Sequence, residues 1–426
     1  MYTKLDRRQV LRDPLYGYIT VDYKIIKDLI DSREFQRLRR IRQLAGVGMV
    51  FQTAEHSRFT HSLGVYHMAN LVLQHVEGIE VLTEYERIVF LISALLHDIG
   101  HGPYSHAFER ILDCTHEEMT IRIIKSKETG INKVLSICPS LADDVASVIA
   151  HDGRFKLIEA LVSSQLDVDR MDYLSRDAYM TGAAYGHIDY YRILRSMKIV
   201  DNKVLVRASG VHSIESYLMS RYHMYFQVYY HKTARNYECL LEAIYERIRD
   251  LTLNGYKFNA NIDSFIKVIE DSNNIKAYIE LDDSYVGGFI KQLTKCDDVA
   301  LNSLCNAFFD RHLFKYYDFT HLSDDKKNQI REEIYNKIPE ELRPYLIKEV
   351  KISGVAYMHS DKSDINDIKV LTPEGEIKSL DEYSPIVNSL RSSSQKEMER
   401  LYYYELWGYY CSWRKSWCNK NKKSIS

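Results

Sequence analysis

Long apolar runs are missing from this sequence. No stretch approaches the roughly 18 consecutive apolar residues that a membrane span needs, and the N-terminal MYTKLDRRQVLRDPLYGY contains no apolar segment of the signal-peptide kind. A membrane or secreted protein is therefore not expected, and a cytoplasmic one is. A surplus of one charge is missing too: 57 Lys and Arg stand against 59 Asp and Glu, a formal net charge of −2. No global field favours nucleic acid or an anionic membrane as the main partner, so any anion site must be local. Cysteine is sparse and unpatterned. Cys114, Cys138, Cys239, Cys296, Cys305, Cys411 and Cys418 include no CxxC or CxxxC pair, which argues against a disulfide scaffold or a thiolate zinc site and fits a reducing compartment. Proline is scarce as well, with only Pro103 and Pro139 between Tyr23 and Asp250.

Where proline is absent, apolar residues recur mostly at helical spacing, so the chain from Tyr23 to Asp250 is expected to form a mainly α-helical body. Ahead of it, QVLRDPLYGYITVDY at 9–23 mixes β-formers with turn residues and predicts a short hairpin. Two capping boxes mark helix starts: Thr83 with Glu86, opening a helix through Leu96 that is apolar nearly all round, and Thr115 with Glu118. A helix apolar on every side belongs in the centre of a core, so the residues at its C-terminal end are rigidly held. Beyond about residue 251, helix-like runs mix with a hairpin signal, DIKVLTPEGEIKSL, and the chain closes on a basic stretch from Arg414 to Ser426, expected to be a solvated tail. The expected class is mainly α: a helical core at 45–250 behind an N-terminal hairpin and helix at 1–44, with a smaller α+β lobe at 251–426. The 33 tyrosines are read chiefly as amphipathic packing.

The apolar helix runs directly into His97-Asp98, which opens HDIGHGPYSH, while HSLGVYHMAN begins at His61. A lone histidine on an apolar face is usually a satisfied core residue, but this density beside an aspartate is not. Within a regular helix two adjacent residues cannot face one ion; at a helix end the second can turn toward it. With His61 and a later carboxylate, His97 and Asp98 would offer N2O2 donors, suited to Fe, Mn, Zn, Ni or Mg rather than Ca. The later carboxylate is sought in SSQLDVDRMDYLSRDA. There Asp169, Tyr173 and Asp177 share one helical face, while Asp172 and Arg176 are expected to form an exposed, structural ion pair on another. Arg221, Tyr225 and Tyr229 form a further stripe with Lys232 close by, either core or an anion-facing wall.

The motifs FQRLRRIRQL at 35–44, HSRFTHSLG at 56–64, HDIGHGPYSH at 97–106, THE at 115–117, SSQLDVDRMDYLSRDA at 163–178 and YYHK at 229–232 together resemble the HD-domain deoxynucleoside triphosphate triphosphohydrolases. The resemblance is greatest to the branch that contains the SAM-and-HD-domain protein and bacterial allosteric enzymes, and covers about residues 9–260. No SAM domain is expected ahead of residue 9. It implies one divalent metal on His61, His97, Asp98 and Asp169, a catalytic His106 oriented by Glu109, and phosphate contacts from His101 and His116. Arg58, Arg221 and Arg170 would hold the triphosphate, Arg170 standing where the family has lysine. Gln43, Leu44, Asp177 and Tyr229 would read the sugar and exclude a ribose; Tyr173 would stack nearby, and Tyr225 replaces a family histidine. The implied reaction takes a dNTP and water to deoxynucleoside and tripolyphosphate, with Mg accompanying the bound nucleotides.

The same resemblance implies regulation. Asp31, Gln36, Arg39, Arg311 and Lys315, with Val10 beside them, match residues that recognise GTP or dGTP between subunits of a homotetramer. Arg192, Arg207 and Lys232 match a second nucleotide site, where Ser209 and Ser213 replace a lysine and an asparagine. Two rival readings remain at this level: an HD phosphohydrolase of another nucleotide, and a nucleotide sensor or single-strand nucleic-acid binder, the latter not favoured because sensing needs no catalytic His106 and Glu109.

Overall fold

The computed structural model describes residues 3–112, 114–353, 368–393 and 397–405, without the side chains of residues 106, 352, 353, 392, 393 and 397. The basic stretch from Arg414, with Cys411 and Cys418, lies outside the described residues. Helices dominate, as expected, and small sheets sit at the periphery. No helix among the described residues is long and apolar enough to cross a membrane, and the five described cysteines are all free.

The N-terminal hairpin pairs Lys4–Asp13 with Gly17–Tyr23, in register from Asp13↔Gly17 to Gln9↔Val21. Its turn is built by Asp13, whose Oδ1 accepts the backbone N–H groups of Leu15 (2.9 Å) and Tyr16 (3.0 Å), and by Gly17 at φ 75°. Both capping boxes form. Glu84–Leu96 is buried from Ile88 to its last residue and packs against Arg58–His75, which in turn packs on Val168–Thr181. Three helix stretches thus converge where chemistry was expected: the first turns of the latter two and the C-terminal end of the first.

The later part of the chain wraps this core. Lys232–Leu253 is a long amphipathic helix. A four-stranded sheet joins Met197–Val200 and Lys203–Arg207 to Lys369–Leu371 and Ile377–Ser379, with Lys203–Arg207 parallel to Lys369–Leu371. It therefore draws strands from both sides of position 250, and the hairpin read in DIKVLTPEGEIKSL is its outer pair. A second sheet places Glu397–Tyr403 between Lys315–Asp318 and Ile347–Ser353. One departure from helical spacing matters: Val211–Met224 runs on as a π-helical turn at Tyr225–Tyr229. Tyr225 keeps its α-helical place one turn after Arg221, its N–H bonded to the Arg221 carbonyl, whereas the wider turn shifts Tyr229 from where an α-helical stripe puts it.

Candidate active site

His97 is the C-cap of the apolar helix. Its Nδ1 lies 3.0 Å from the Ala94 carbonyl, to which it donates, so Nε2 turns outward as a lone pair; that atom is buried and has no hydrogen-bond partner. His61, one turn into Arg58–His75, is fixed the same way. Its Nδ1 donates to Asp172 Oδ2 at 2.8 Å, and its Nε2 faces Asp169 Oδ1 at 3.1 Å. The two Nε2 atoms and the Asp169 carboxylate lie within 4.8 Å of one another. Asp98 stands beside them, 3.4 Å from His97 Nε2 and 3.6 Å from His61 Nε2. It also forms a second close group with His101 and His116.

This donor set fits a divalent metal: two imidazoles whose Nδ1 is held by an acceptor so that Nε2 faces the cluster, and two carboxylates, borderline and hard ligands together. The electrostatics agree. Burial opposes charge on His61, yet Asp169 and Asp172 outweigh it and lift the ring to about 10; the cluster favours positive charge. Burial likewise works against an ionised Asp98, but His97, His101 and Arg58 hold its carboxyl well below the usual range. His101 goes the other way, to about 3, because it is buried and faces Arg58 and His116. It is therefore a neutral ring at pH 7. It stacks on His116 with centroids 3.9 Å apart, and Glu109 Oε1 lies 3.3 Å from His101 Nδ1 and 3.1 Å from His116 Nδ1. His106 begins the helix that carries Glu109; its side chain lies outside those described.

One expectation is corrected here. Asp172 and Arg176 do pair, through Nε at 3.0 Å and Nη2 at 2.9 Å, but both are almost wholly buried rather than exposed. The Asp172 carboxylate also accepts Tyr16 Oη–H (2.7 Å) from the N-terminal hairpin, and Arg176 Nη1 reaches Asp13 at 2.9 Å. The pair is the buttress of His61, not a surface ornament. Gly64 makes room for it, since a Cβ there would overlap the Asp172 carboxylate.

Around the cluster lies a polar, cationic wall. Arg58 donates to Asp98 and, at 3.0 Å, to Ser105 Oγ. Arg170 is held by Asp167, which N-caps its helix, and by the Ser164 carbonyl; Arg221 donates to Gln165 Oε1 at 2.7 Å and lies over the Tyr225 ring. Both keep a buried Nε without a partner. Asp177 is gripped on both oxygens, by His56 Nε2 (2.7 Å) and Tyr229 Oη (2.7 Å), and Tyr173 packs edge-on to Tyr229 and His61. Gln43 bonds through its backbone to the His56 carbonyl and has a buried, unpartnered Oε1; Leu44 packs against the core. Sequence reasoning missed His56, Gln165 and Asp167. Only Asp167 left a local signal, an aspartate directly before a helical run.

The remaining expected residues lie elsewhere. Asp31 ends the helix Lys24–Ile30 and pairs with Lys27, while Gln36 donates to the Ile30 carbonyl (2.8 Å) and accepts from Arg39 Nε (2.8 Å). Arg39 also covers the Phe59 ring at 3.6 Å. Val10 is exposed on the hairpin, and Arg311 donates to the Met49 carbonyl at 3.1 Å. Lys315 pairs with Glu405, Arg207 with Glu77, Arg192 reaches the Ser209 carbonyl, and Lys232 lies over the Tyr316 ring.

Comparison with known proteins places the chain in a family. Residues 58–177 match the HD domain model, and residues 188–406 match that of the HD associated region. An uncharacterised protein of Bacillus subtilis, YwfO, is 38% identical over 94% of this chain and 93% of its own. The human deoxynucleoside triphosphate triphosphohydrolase SAMHD1 is 26% identical over 82% of this chain, which spans 61% of the human protein's length. A homologue of it in Dictyostelium discoideum is 28% identical, with 63% of its length spanned. Among solved structures, a phosphohydrolase of Bacteroides thetaiotaomicron superposes with a TM-score of 0.81 at 26% identity, covering 94% of this chain and all of its own.

Proposed function

Because the chain belongs to the HD-domain family and is an HD-superfamily hydrolase, we propose that it hydrolyses deoxynucleoside triphosphates to deoxynucleoside and tripolyphosphate, using a divalent metal on His61, His97, Asp98 and Asp169. The observation that carries this reading is that the metal-ligand cluster has Arg58 bonded to Asp98, with Arg170 and Arg221 on the neighbouring helices, and is linked through Tyr173 to the Asp177–Tyr229–His56 triad. A triphosphate brings roughly four negative charges and needs several fixed cations. A deoxyribose needs a small polar grip with bulk beside it, which Asp177 and Tyr229 offer.

The bound metal would supply Lewis acidity at the α-phosphorus. Arg58, fixed by Asp98 and Ser105, would hold the α-phosphate without reorganising during reaction. His101 and His116 would contact the phosphate oxygens, and Glu109 would orient the rings it touches. His106, at the start of the Glu109 helix, would move a proton to or from the reacting oxygens. The human enzyme's name carries the same activity, and that likeness supports the substrate class. Activation by GTP or dGTP in a homotetramer is proposed on the residues at 10, 31, 36, 39, 311 and 315.

The test is to incubate purified protein with each dNTP and rNTP, with and without GTP or dGTP, and resolve nucleoside, mono- and diphosphate and tripolyphosphate. Deoxynucleoside with tripolyphosphate is the expected pair. Release of orthophosphate or pyrophosphate instead would reject the proposed bond of cleavage.

A further inference from the structure

The loop that leads from Asp98 to His106 has an unusual backbone. Tyr104 and Ser105 are consecutive non-glycine residues at φ 55° and 54°, a region that side chains avoid and that persists only where surroundings enforce it. Those surroundings come from a distant part of the chain, within the HD associated region. Tyr278 Oη donates to the Gly100 carbonyl at 2.6 Å, and the Leu281 carbonyl accepts Arg37 Nε (2.7 Å) while Arg37 Nη2 donates to the His101 carbonyl (2.8 Å). Asp283, the first residue of the helix Asp283–Leu293, completes the set. Its Oδ1 accepts the Tyr104 N–H at 2.8 Å and its Oδ2 accepts the Arg42 N–H at 2.9 Å.

One buried carboxylate therefore joins the two segments that flank Arg58. Arg42 directly precedes Gln43 and Leu44, and the Arg58 N–H is tied to the neighbouring Ile41 carbonyl at 2.9 Å. Tyr104 directly precedes Ser105, whose Oγ accepts from Arg58 Nε. Asp283 itself reaches neither the metal cluster nor the proposed substrate wall.

We propose that Asp283 is a positioning residue for the reaction, registering the loop through Tyr104 and Ser105 against the Gln43–Leu44 segment so that Arg58 and His106 meet the phosphates. It rests on the functional reading above for its effect on turnover, and on geometry alone for its effect on the loop. A carboxylate is required because it accepts two N–H groups at once; an asparagine amide accepts one and turns its own N–H2 toward the other. Misplacement of about 1 Å at reacting groups costs about 100-fold in rate.

The experiment compares wild type with Asp283→Asn, and with Asp283→Glu in case the first fails to fold, since glutamate keeps the charge but sets the carboxylate one methylene away. Hydrogen exchange of peptides covering 41–44 and 99–105 is read by mass spectrometry, beside kcat, KM and bound metal. Expected are about 10-fold or faster exchange in both segments, a fall in kcat of about 10- to 100-fold, and KM and metal content within about twofold of wild type. Unchanged exchange in both segments overturns the clamp, whatever the substrate. Faster exchange with unchanged kcat overturns its positioning role. If wild type cleaves no nucleotide, the functional reading falls instead, and exchange alone decides whether Asp283 holds the loop.

Discussion

Replacing Asp172 with asparagine removes a charge that four donors share. In the folded protein the carboxylate accepts from His61 Nδ1, Arg176 Nε and Nη2, and Tyr16 Oη, at 2.7–3.0 Å. Despite burial, Arg176 and His61 hold its carboxyl down at about 2. An asparagine oxygen can serve one side of that arrangement, and its amide then confronts donors on the other. The cost is twofold. Arg176 keeps only Asp13 as a charged partner, and breaking one arm of a buried ion pair costs about 3–5 kcal/mol; asparagine retains part of the hydrogen bonding, so the lower end is expected. His61 loses the acceptor that fixes its tautomer, and such outer partners are worth about 10- to 100-fold in metal affinity, or about 1.4–2.8 kcal/mol. Competition with a chromogenic chelator gives the affinity, and urea unfolding at fixed metal concentration gives the stability. Asp169→Ala, which removes a proposed ligand outright, sets the scale for complete loss. If Asp172→Asn binds metal within twofold of wild type, the buttress does not orient His61 and the reasoning fails.

His106→Ala should bind metal and dNTP nearly as wild type yet turn over at least about 100-fold more slowly; near-normal turnover removes it from the mechanism. Asp31→Ala should abolish or weaken the response of dATP hydrolysis and sedimentation to GTP or dGTP, the coupling expected being about 5- to 150-fold in affinity, and a full response would return Asp31 to its plain pairing with Lys27. Tyr229→Phe leaves Asp177 with His56 alone, so dNTP KM should rise and discrimination against rNTP narrow, as competition between dATP and ATP would register. Burial lifts Asp283 to about 6 from 3.8. Between those values the folded chain keeps a proton that the unfolded chain has lost, so stability falls as pH rises through that window, by about 3 kcal/mol in all. Asparagine does not titrate; the stability gap between wild type and Asp283→Asn should shift toward the variant by that amount between about pH 4 and pH 7, and a pH-independent gap in urea unfolding refutes the shift.

The parts of the fold that were legible in the sequence are those whose causes are local. Thr83 and Glu86 close a capping box within four residues, Pro373-Glu374-Gly375 makes a turn wherever two β-prone segments flank it, and an all-round apolar helix ending in His97-Asp98 has one place to go. The same locality placed Asp169, Tyr173 and Asp177 on one face, since helix geometry alone sets that spacing.

The illegible parts depend on partners far along the chain. An aspartate four residues before an arginine looks the same on a wet face as in a core; Asp172 and Arg176 became a buried buttress because Gly64 on a neighbouring helix leaves space and because Asp13 and Tyr16 arrive from the hairpin. No local pattern marks His56 as a partner of Asp177, or Tyr225–Tyr229 as a π-turn. Asp283 is the extreme case. It comes after another aspartate at a helix start, where a cap is the ordinary reading, and Asp282 does serve as that cap through the Tyr285 N–H. Freed from capping, Asp283 turns inward to two backbone amides more than 170 residues away. The helical core alone contains every proposed metal ligand, but the backbone that aims Arg58 and His106 is held from outside it. The associated region is thus a working part of the site rather than a covering for it, and Asp283→Asn in the full chain should leave the metal ligands in place while loosening the phosphate grip.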